Sequence, residues 1–356
     1  MEKRIVVGMS GGVDSSMTLL LLKQSGWQPL GVTLMLEKWG EGCRENACCT
    51  AESLRVAKSV CEKLGVKHFV VDAKADFKRE VMDYFIDELS RARTPNPCIT
   101  CNRRLKFAKL FEWAQANGID YVATGHYAKT AKRADGKTVL VPPKDRVKDQ
   151  TYGLCLLPQE WLARCVFPLG GYTKEEVYAT AKREGFEFFL KTKQSQDLCF
   201  VESAAVPAFL EEKLGRRGGE IVDANGKVLG RHDGLHFFTI GQRRGLGIEG
   251  ENYVVGFDAE KNRLIVSKDR KDLLKRTVLV TGFNYSTGEQ PTEPMKVTAQ
   301  VRYRQEPTAA IMHPAVGGVV KAVFKEPAES VTQGQVCACY GDGGACIGGG
   351  FIESAR

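Results

Sequence analysis

Two hydrophobic periods run along this chain, and the change from one to the other divides it. In the first half, short β-branched or apolar runs at 5–7, 30–36, 68–71 and 121–124 alternate with longer segments. In those longer segments, apolar residues recur at a spacing of about 3.6. Leu54, Ala57, Val60, Cys61 and Leu64 give the clearest case and predict a helix over 51–64, stopped at Gly65. Further helices are predicted at 17–22, 76–90, 105–117 and 174–184. Strands alternating with helices of this length predict an α/β domain built on a doubly wound parallel sheet. Ligands of such sheets lie beyond the C-terminal strand ends, which here carry the turn after Val7, Leu34, and Thr124-Gly125-His126.

From about residue 218 the pattern shortens to strand-like runs with glycine turns, at 220–222, 236–239, 253–255, 264–266, 277–280, 295–301, 318–324 and 336–340. This predicts antiparallel β structure, a small central β domain followed by a C-terminal β-barrel. The expected domains are 1–205, 206–272 and 273–356.

The first strand runs into Gly8-Met9-Ser10-Gly11-Gly12-Val13-Asp14-Ser15. A strand, a glycine turn and a helix start aim backbone N–H groups and a positive helix end at one point, which suits an anion. The Walker pattern needs a Lys-Ser/Thr pair where Val13-Asp14 stands, and the dinucleotide fingerprint has another glycine spacing. A second landmark is Pro95-Asn96-Pro97-Cys98-Ile99-Thr100-Cys101, read as an extended loop because prolines disfavour helix there. Its CxxC could be a redox pair, half a zinc site or two cluster ligands; zinc is disfavoured because no second pair of the usual form follows. Cys199, in a polar loop after Lys191 and Lys193, is the third.

Composition narrows the class. The 356 residues are 43% hydrophobic and 26% charged, with neither a long apolar run nor an N-terminal signal pattern, so a cytoplasmic protein without membrane association is expected. A net charge of +8 permits a nucleic-acid partner without requiring one. Twelve cysteines in a reducing compartment are expected to be thiols, ligands or catalytic sulfurs. Cys61, Cys155, Cys165 and Cys346 sit in apolar settings and read as core residues.

The turn SGGVDS resembles the pyrophosphate loop of the ATP pyrophosphatases, of the adenine nucleotide alpha hydrolase-like fold. Taken with CCT, TPNPCITCN, ATGHYA, KDQTYGL, SQDLCF, TIGQRRGLGI and RYRQ, in that order over almost the whole chain, the sequence resembles the tRNA-specific 2-thiouridylases. The resemblance implies ATP-dependent thiolation of the wobble uridine of tRNA, with Mg²⁺ and a sulfur-donor or sulfur-relay protein, by a monomer. It implies that Gly8, Met9, Ser10, Gly11, Gly12, Val13, Asp14, Ser15, Leu34 and Gly125 bind ATP. Asn96, Pro97 and Cys98 fall in the target-base loop, and Cys98 departs from the Asp common there. Asp14, Cys101 and Cys199 are the implied catalytic residues, Cys199 carrying sulfur as a persulfide and Cys101 attacking it. His126, Lys148, Asp149, Gln150, Arg302, Tyr303 and Gln335 match tRNA-binding positions.

Two alternatives stay open at this level. Cys98, Cys101 and Cys199 could ligate three irons of a 4Fe–4S cluster. A small-molecule ligase of the same superfamily would explain SGGVDS but leave Cys101, Cys199 and the β-rich third idle.

Overall fold

The computed structural model describes residues 3–40, 51–191 and 198–356. The expected Cys48-Cys49-Thr50 motif and Ser195 to Asp197 lie outside them. Five parallel strands make the first sheet: β1 (Arg4–Gly8), β2 (Gln28–Met35), β3 (His68–Asp72) and β4 (Tyr121–Ala123), then, after the hairpin β5 (Lys129–Lys132) and β6 (Thr138–Val141), the two-residue β7 (Cys165–Val166). Their order is β3-β2-β1-β4-β7. The pleat sends Ile5 and Val7 to one face, where they meet the helices Val13–Gln24 and Lys174–Arg183. Val6 goes to the other, against the helix Phe107–Ala116. Both faces are covered, as a parallel sheet requires.

Two long helices depart from the regular α form at their centres. The run 74–90 contains a π-helical segment at Lys78–Asp83, and the run 97–116 contains another at Asn102–Lys106. Such segments concentrate at functional sites. The second run corrects the extended-loop expectation: Pro97–Cys101 is helical, so the CxxC occupies a first helical turn. Pro97 stands at the start, where a missing N–H costs nothing, and the Asn96 side chain caps by accepting from Ile99 N at 3.3 Å.

The second domain is a four-stranded sheet of β8 (Gly219–Val222), β9 (Val228–His232), β10 (Tyr253–Asp258) and β11 (Arg263–Ser267), ordered β10-β11-β8-β9. It is not wholly antiparallel as expected, because β11 pairs with β8 in parallel. The strand expected over 236–239 is absent; Leu235–Phe237 forms a 3-10 turn instead. The third domain is a closed antiparallel barrel, β12 (Leu274–Tyr285), β13 (Met295–Gln300), β14 (Thr308–Val316), β15 (Val319–Glu329), β16 (Val336–Tyr340) and β17 (Cys346–Ala355), ordered β12-β15-β14-β13-β16-β17.

Barrel and first domain share a core. Val336, Ala338, Tyr340 and Cys346 belong to the apolar cluster that covers one face of the parallel sheet. Cys61, Cys155, Cys165 and Cys346 are buried as expected, and so are Cys337 and Cys339. No helix among the described residues is long and apolar enough to cross a membrane.

Candidate active site

The turn after β1 is built to hold its own shape while leaving its mouth open. Ser15 Oγ donates to Gly12 O at 3.0 Å and accepts from Ser10 N at 3.2 Å, so one hydroxyl ties both sides of the loop. Ser10 Oγ accepts from Gly12 N at 3.4 Å. Gly12 is the N-cap of the helix Val13–Gln24 and supplies no side-chain cap. Uncapped N–H groups and the helix dipole both favour an anion there. Gly11 has φ +76°, and a Cβ on it would stand 2.2 Å from Ser53 O. Gly125, beyond β4, lies equally tight: a Cβ would be 2.8 Å from Asp14 C and from Ser15 N. The two glycine segments named from sequence therefore form one floor. Gly8 backs onto Leu110, and Met9 and Val13 are buried beneath the loop.

Asp14 faces a partner that sequence reasoning did not single out. Lys174 Nζ donates to Asp14 Oδ1 at 2.7 Å and Oδ2 at 2.8 Å, and the Tyr127 hydroxyl donates to Oδ1 at 2.9 Å. Lys174 is 7% exposed, and its ammonium also lies over the Tyr127 and Tyr178 rings. Burial, then the Asp14 charge, raises the Tyr127 pKa far above its ordinary range, so the phenol keeps its proton and remains a donor. A signal was present in the sequence. Thr173 and Glu176 form a capping box, which puts Lys174 in the first helical turn. A cation is unfavourable at that positive end unless an anion faces it.

The cysteines separate. Cys101 is buried in an apolar cluster with Phe77, Phe85 and Phe200, and Cys199 packs against the same cluster. Leu34, on β2, packs against it as well, which links the sulfur region to the end of the parallel sheet. Cys98 is exposed. Burial raises the Tyr303 pKa; Arg304 opposes the rise, while Cys98 and Asp149 add to it, so Cys98 lies in the electrostatic neighbourhood of a barrel residue. Among the described residues no three His, Cys, Asp or Glu side chains converge as metal ligands. The donor set expected for a cluster, Cys98, Cys101 and Cys199, thus does not assemble as one.

Of the residues expected to meet tRNA, Arg302 and Gln335 bond across domains, while His126 and Gln150 bond within the first. Asp149 Oδ1 accepts from Thr151 N and Oγ1 at 2.9 and 2.7 Å, a turn-holding role. Gln150 Oε1 accepts from Tyr127 N at 2.8 Å. Lys148 ends a short 3-10 turn capped by Asp145. Arg302 is not a surface charge: its Nη2 donates to Ile240 O and Thr332 Oγ1, both at 2.7 Å, and burial lowers its pKa. Tyr303 is 47% exposed. Gln335 Nε2 donates to Thr94 O at 2.8 Å, and Thr94 N donates to Gln333 O at 2.9 Å, so the barrel holds the segment that enters the CxxC helix. His126 stacks on Phe107, is hydrogen-bonded to Thr124 Oγ1 through Nδ1 at 2.8 Å, and has its pKa pushed down to about 3 by burial and by Lys106.

Three family models match the chain in succession: a tRNA methyl transferase HUP domain over 3–203, a tRNA methyl transferase PRC-barrel domain over 207–268, and an aminomethyltransferase beta-barrel domain over 275–352. Curated relatives span the full length. The tRNA-specific 2-thiouridylase MnmA 1 of Clostridium botulinum is 40% identical over 99% of this chain and 100% of its own. The MnmA proteins of Geobacter metallireducens and Moorella thermoacetica are 41% and 42% identical, over 99% and 98% of this chain and 98% and 99% of theirs. Among solved structures, a 4-thiouridine synthetase–RNA complex with bound ATP aligns with 60% of this chain and 50% of its own, at 17% identity and a TM-score of 0.39, too distant to bear on the site.

Proposed function

The chain belongs to the tRNA-specific 2-thiouridylase family, and from that premise we propose how its residues divide the ATP-dependent 2-thiolation of tRNA among themselves. The protein is a tRNA sulfurtransferase. The uracil C2 oxygen of the wobble uridine is a poor leaving group, so it must be activated before sulfur can replace it. In our reading Gly8 to Ser15 cradle the ATP phosphates, with Leu34 and Gly125 on the adenine side. Mg²⁺ enters as part of the MgATP substrate, carried on phosphate oxygens. The C2 oxygen attacks the α-phosphorus, an O–P bond forms, and pyrophosphate leaves. Lys174, held by Asp14, offers positive charge to the phosphates as the bond between the α-phosphorus and the oxygen bridging to pyrophosphate breaks.

Sulfur then arrives on Cys199 as a persulfide, charged by a sulfur-donor or relay protein. The Cys101 thiolate attacks the Cys199 sulfur, the S–S bond to the outer sulfur breaks, and hydrosulfide is released to attack C2 while AMP departs with the original oxygen. A Cys101–Cys199 disulfide remains, and a thiol reductant restores both cysteines. Asn96, Pro97 and Cys98 border the target base. His126, Lys148, Asp149, Gln150, Arg302, Tyr303 and Gln335 form the tRNA side, Asp149, Gln150 and Arg302 by fixing geometry. We read the domains as 1–205, 206–272 and 273–356 in a cytoplasmic monomer.

The observation that carries the sulfur chemistry is the packing of Cys101 and Cys199 against one apolar cluster, with Cys98 outside it. The test is 2-thiouridine formation and tRNA-dependent pyrophosphate release by Cys101→Ser, Cys199→Ser and Cys98→Ala, with and without anaerobic iron and sulfide. Loss in the first two variants and activity without iron in the third support the persulfide route. Iron-dependent activity lost in Cys98→Ala overturns it.

A further inference from the structure

Behind the CxxC turn, the same continuous helical run presents two adjacent arginines on its π-helical segment, Arg103 and Arg104. With Thr100, Leu156 and Phe351 they line a cavity of about 330 Å³ between the first domain and β17 of the barrel. Each guanidinium sits over an aromatic ring. Arg103 lies over the Trp161 ring at 4.5 Å, and Arg104 over the Tyr84 ring at 5.3 Å. A cation–π contact draws on the charge rather than on a hydrogen-bond acceptor, so a guanidinium held this way can still make bidentate bonds to an oxyanion.

Neither arginine has a carboxylate within ion-pair distance among the described residues, whereas Arg93 has two, Glu88 and Glu353. Arg103 is half-buried beside a second positive charge, and Glu160 acts on it only through space. Placing like charges side by side with partial loss of water is unfavourable until an anion joins them. The apolar walls, Leu156 and Phe351, suit a sugar or base face next to that anion. Of the substrates of this reaction, ATP has its own phosphate loop, while RNA presents a run of phosphodiesters.

We infer that Arg103 and Arg104 form a phosphodiester pocket that grips the tRNA backbone, separate from the tRNA-facing residues named above. The inference rests on the reading of tRNA as substrate. Because both arginines follow Cys101 on one helical run, backbone phosphate held here is in fixed register with the sulfur site.

The test measures binding of unmodified tRNA to the full-length protein over a series of potassium chloride concentrations, for wild type, Arg103→Gln, Arg104→Gln and Arg104→Lys. Each glutamine variant is expected to bind roughly tenfold more weakly at low salt and to lower the steepness of the log–log salt dependence by about one. Arg104→Lys restores the steepness but only part of the affinity. The ATP KM at saturating tRNA stays at the wild-type value. If Arg103→Gln fails to fold, Arg104→Gln, at an exposed position, decides alone. Unchanged tRNA affinity and salt dependence overturn the inference. So does a raised ATP KM, which would put a nucleotide in the pocket, or loss of thiolation confined to the donor-protein-coupled assay, which would make it a donor docking site. Failure of the wild type to bind tRNA at all would instead overturn the proposed function.

Discussion

The Lys174 ammonium sits 2.7 and 2.8 Å from the two carboxylate oxygens of Asp14, joining the start of the helix Lys174–Arg183 to the first turn after β1. The pair is partly buried, with a tyrosine hydroxyl completing the carboxylate's hydrogen bonds. An isolated buried ammonium would be costly, so the arrangement makes sense where further negative charge is delivered. Lys174→Met is therefore expected to lower tRNA-dependent pyrophosphate release by about 10²- to 10³-fold. Lys174→Arg should rescue poorly, because a planar fork does not fit where a point charge stands between two tyrosine rings. Wild-type rates in Lys174→Met would remove the lysine from the chemistry.

Gly11→Ala tests the floor of the phosphate loop. Its positive φ costs an L-residue about 1–2 kcal/mol, and the new Cβ would collide with the Ser53 carbonyl. The loop must move, and the ATP KM should rise by roughly tenfold or more. Gly125→Ala should behave alike, since its Cβ would press on the Asp14–Ser15 backbone. Isothermal titration with a non-hydrolysable ATP analogue would check both; unimpaired binding would mean the loop is more pliant than its packing indicates.

Arg302→Ala removes two bonds, one to Thr332 within the barrel domain and one that ties the barrel to Ile240 in the central domain. Charged hydrogen bonds of this kind contribute about 1.5–3 kcal/mol. The expected result is a thermal midpoint lower by a few degrees together with weaker tRNA binding. A variant that loses affinity at unchanged midpoint would indicate direct contact with RNA instead.

Acid should loosen the protein from a definite starting point. His126 titrates far below the usual imidazole value of 6.5, and His68, His232 and His236 are also lowered, all chiefly by burial. The folded state holds them neutral, so their contribution is complete above pH 6.5. It declines as the pH falls below that, because the unfolded chain takes up protons first; for His126 the decline continues to about 3. His126→Gln should flatten the fall of denaturant midpoint between pH 6.5 and 4. Thiolation should show no ionisation assignable to His126 between pH 6 and 8, which nuclear magnetic resonance titration of the ring can verify.

The alternation of strands and helices in the first domain could be read from periodicity, because β1 to β3 are long enough to carry a pattern and the three-residue β4 follows a clearly periodic helix. β7 has only two residues and could not. In the barrel, β14 contains His313-Pro314 and β17 contains Gly348-Gly349-Gly350, residues that local propensity counts against strands; closure and packing override them. Pro97 reads in sequence as a helix breaker, whereas at the first position of a helix proline favours the helix. At the site, the glycine turn and the three cysteines were visible as motifs. Lys174 was legible only indirectly, as a cation in the first turn of a capped helix; that Asp14 is the anion facing it emerges only from the fold. Arg302 shows the same limit: its partners Ile240 and Thr332 are distant in sequence.

The two bonds between Thr94 and the barrel residues Gln333 and Gln335 bear on how such an enzyme can be taken apart or recombined. A chain ended before β12 would leave an amide and a carbonyl of the reactive segment without their partners, and would bare the cluster that Val336, Ala338 and Tyr340 help to fill. The barrel is in that sense a wall of the first domain's core rather than an appendage to it. Chimeras that exchange it between relatives should work only when the 94–97 segment is exchanged with it, so the two stretches form one heritable unit despite lying far apart in the gene.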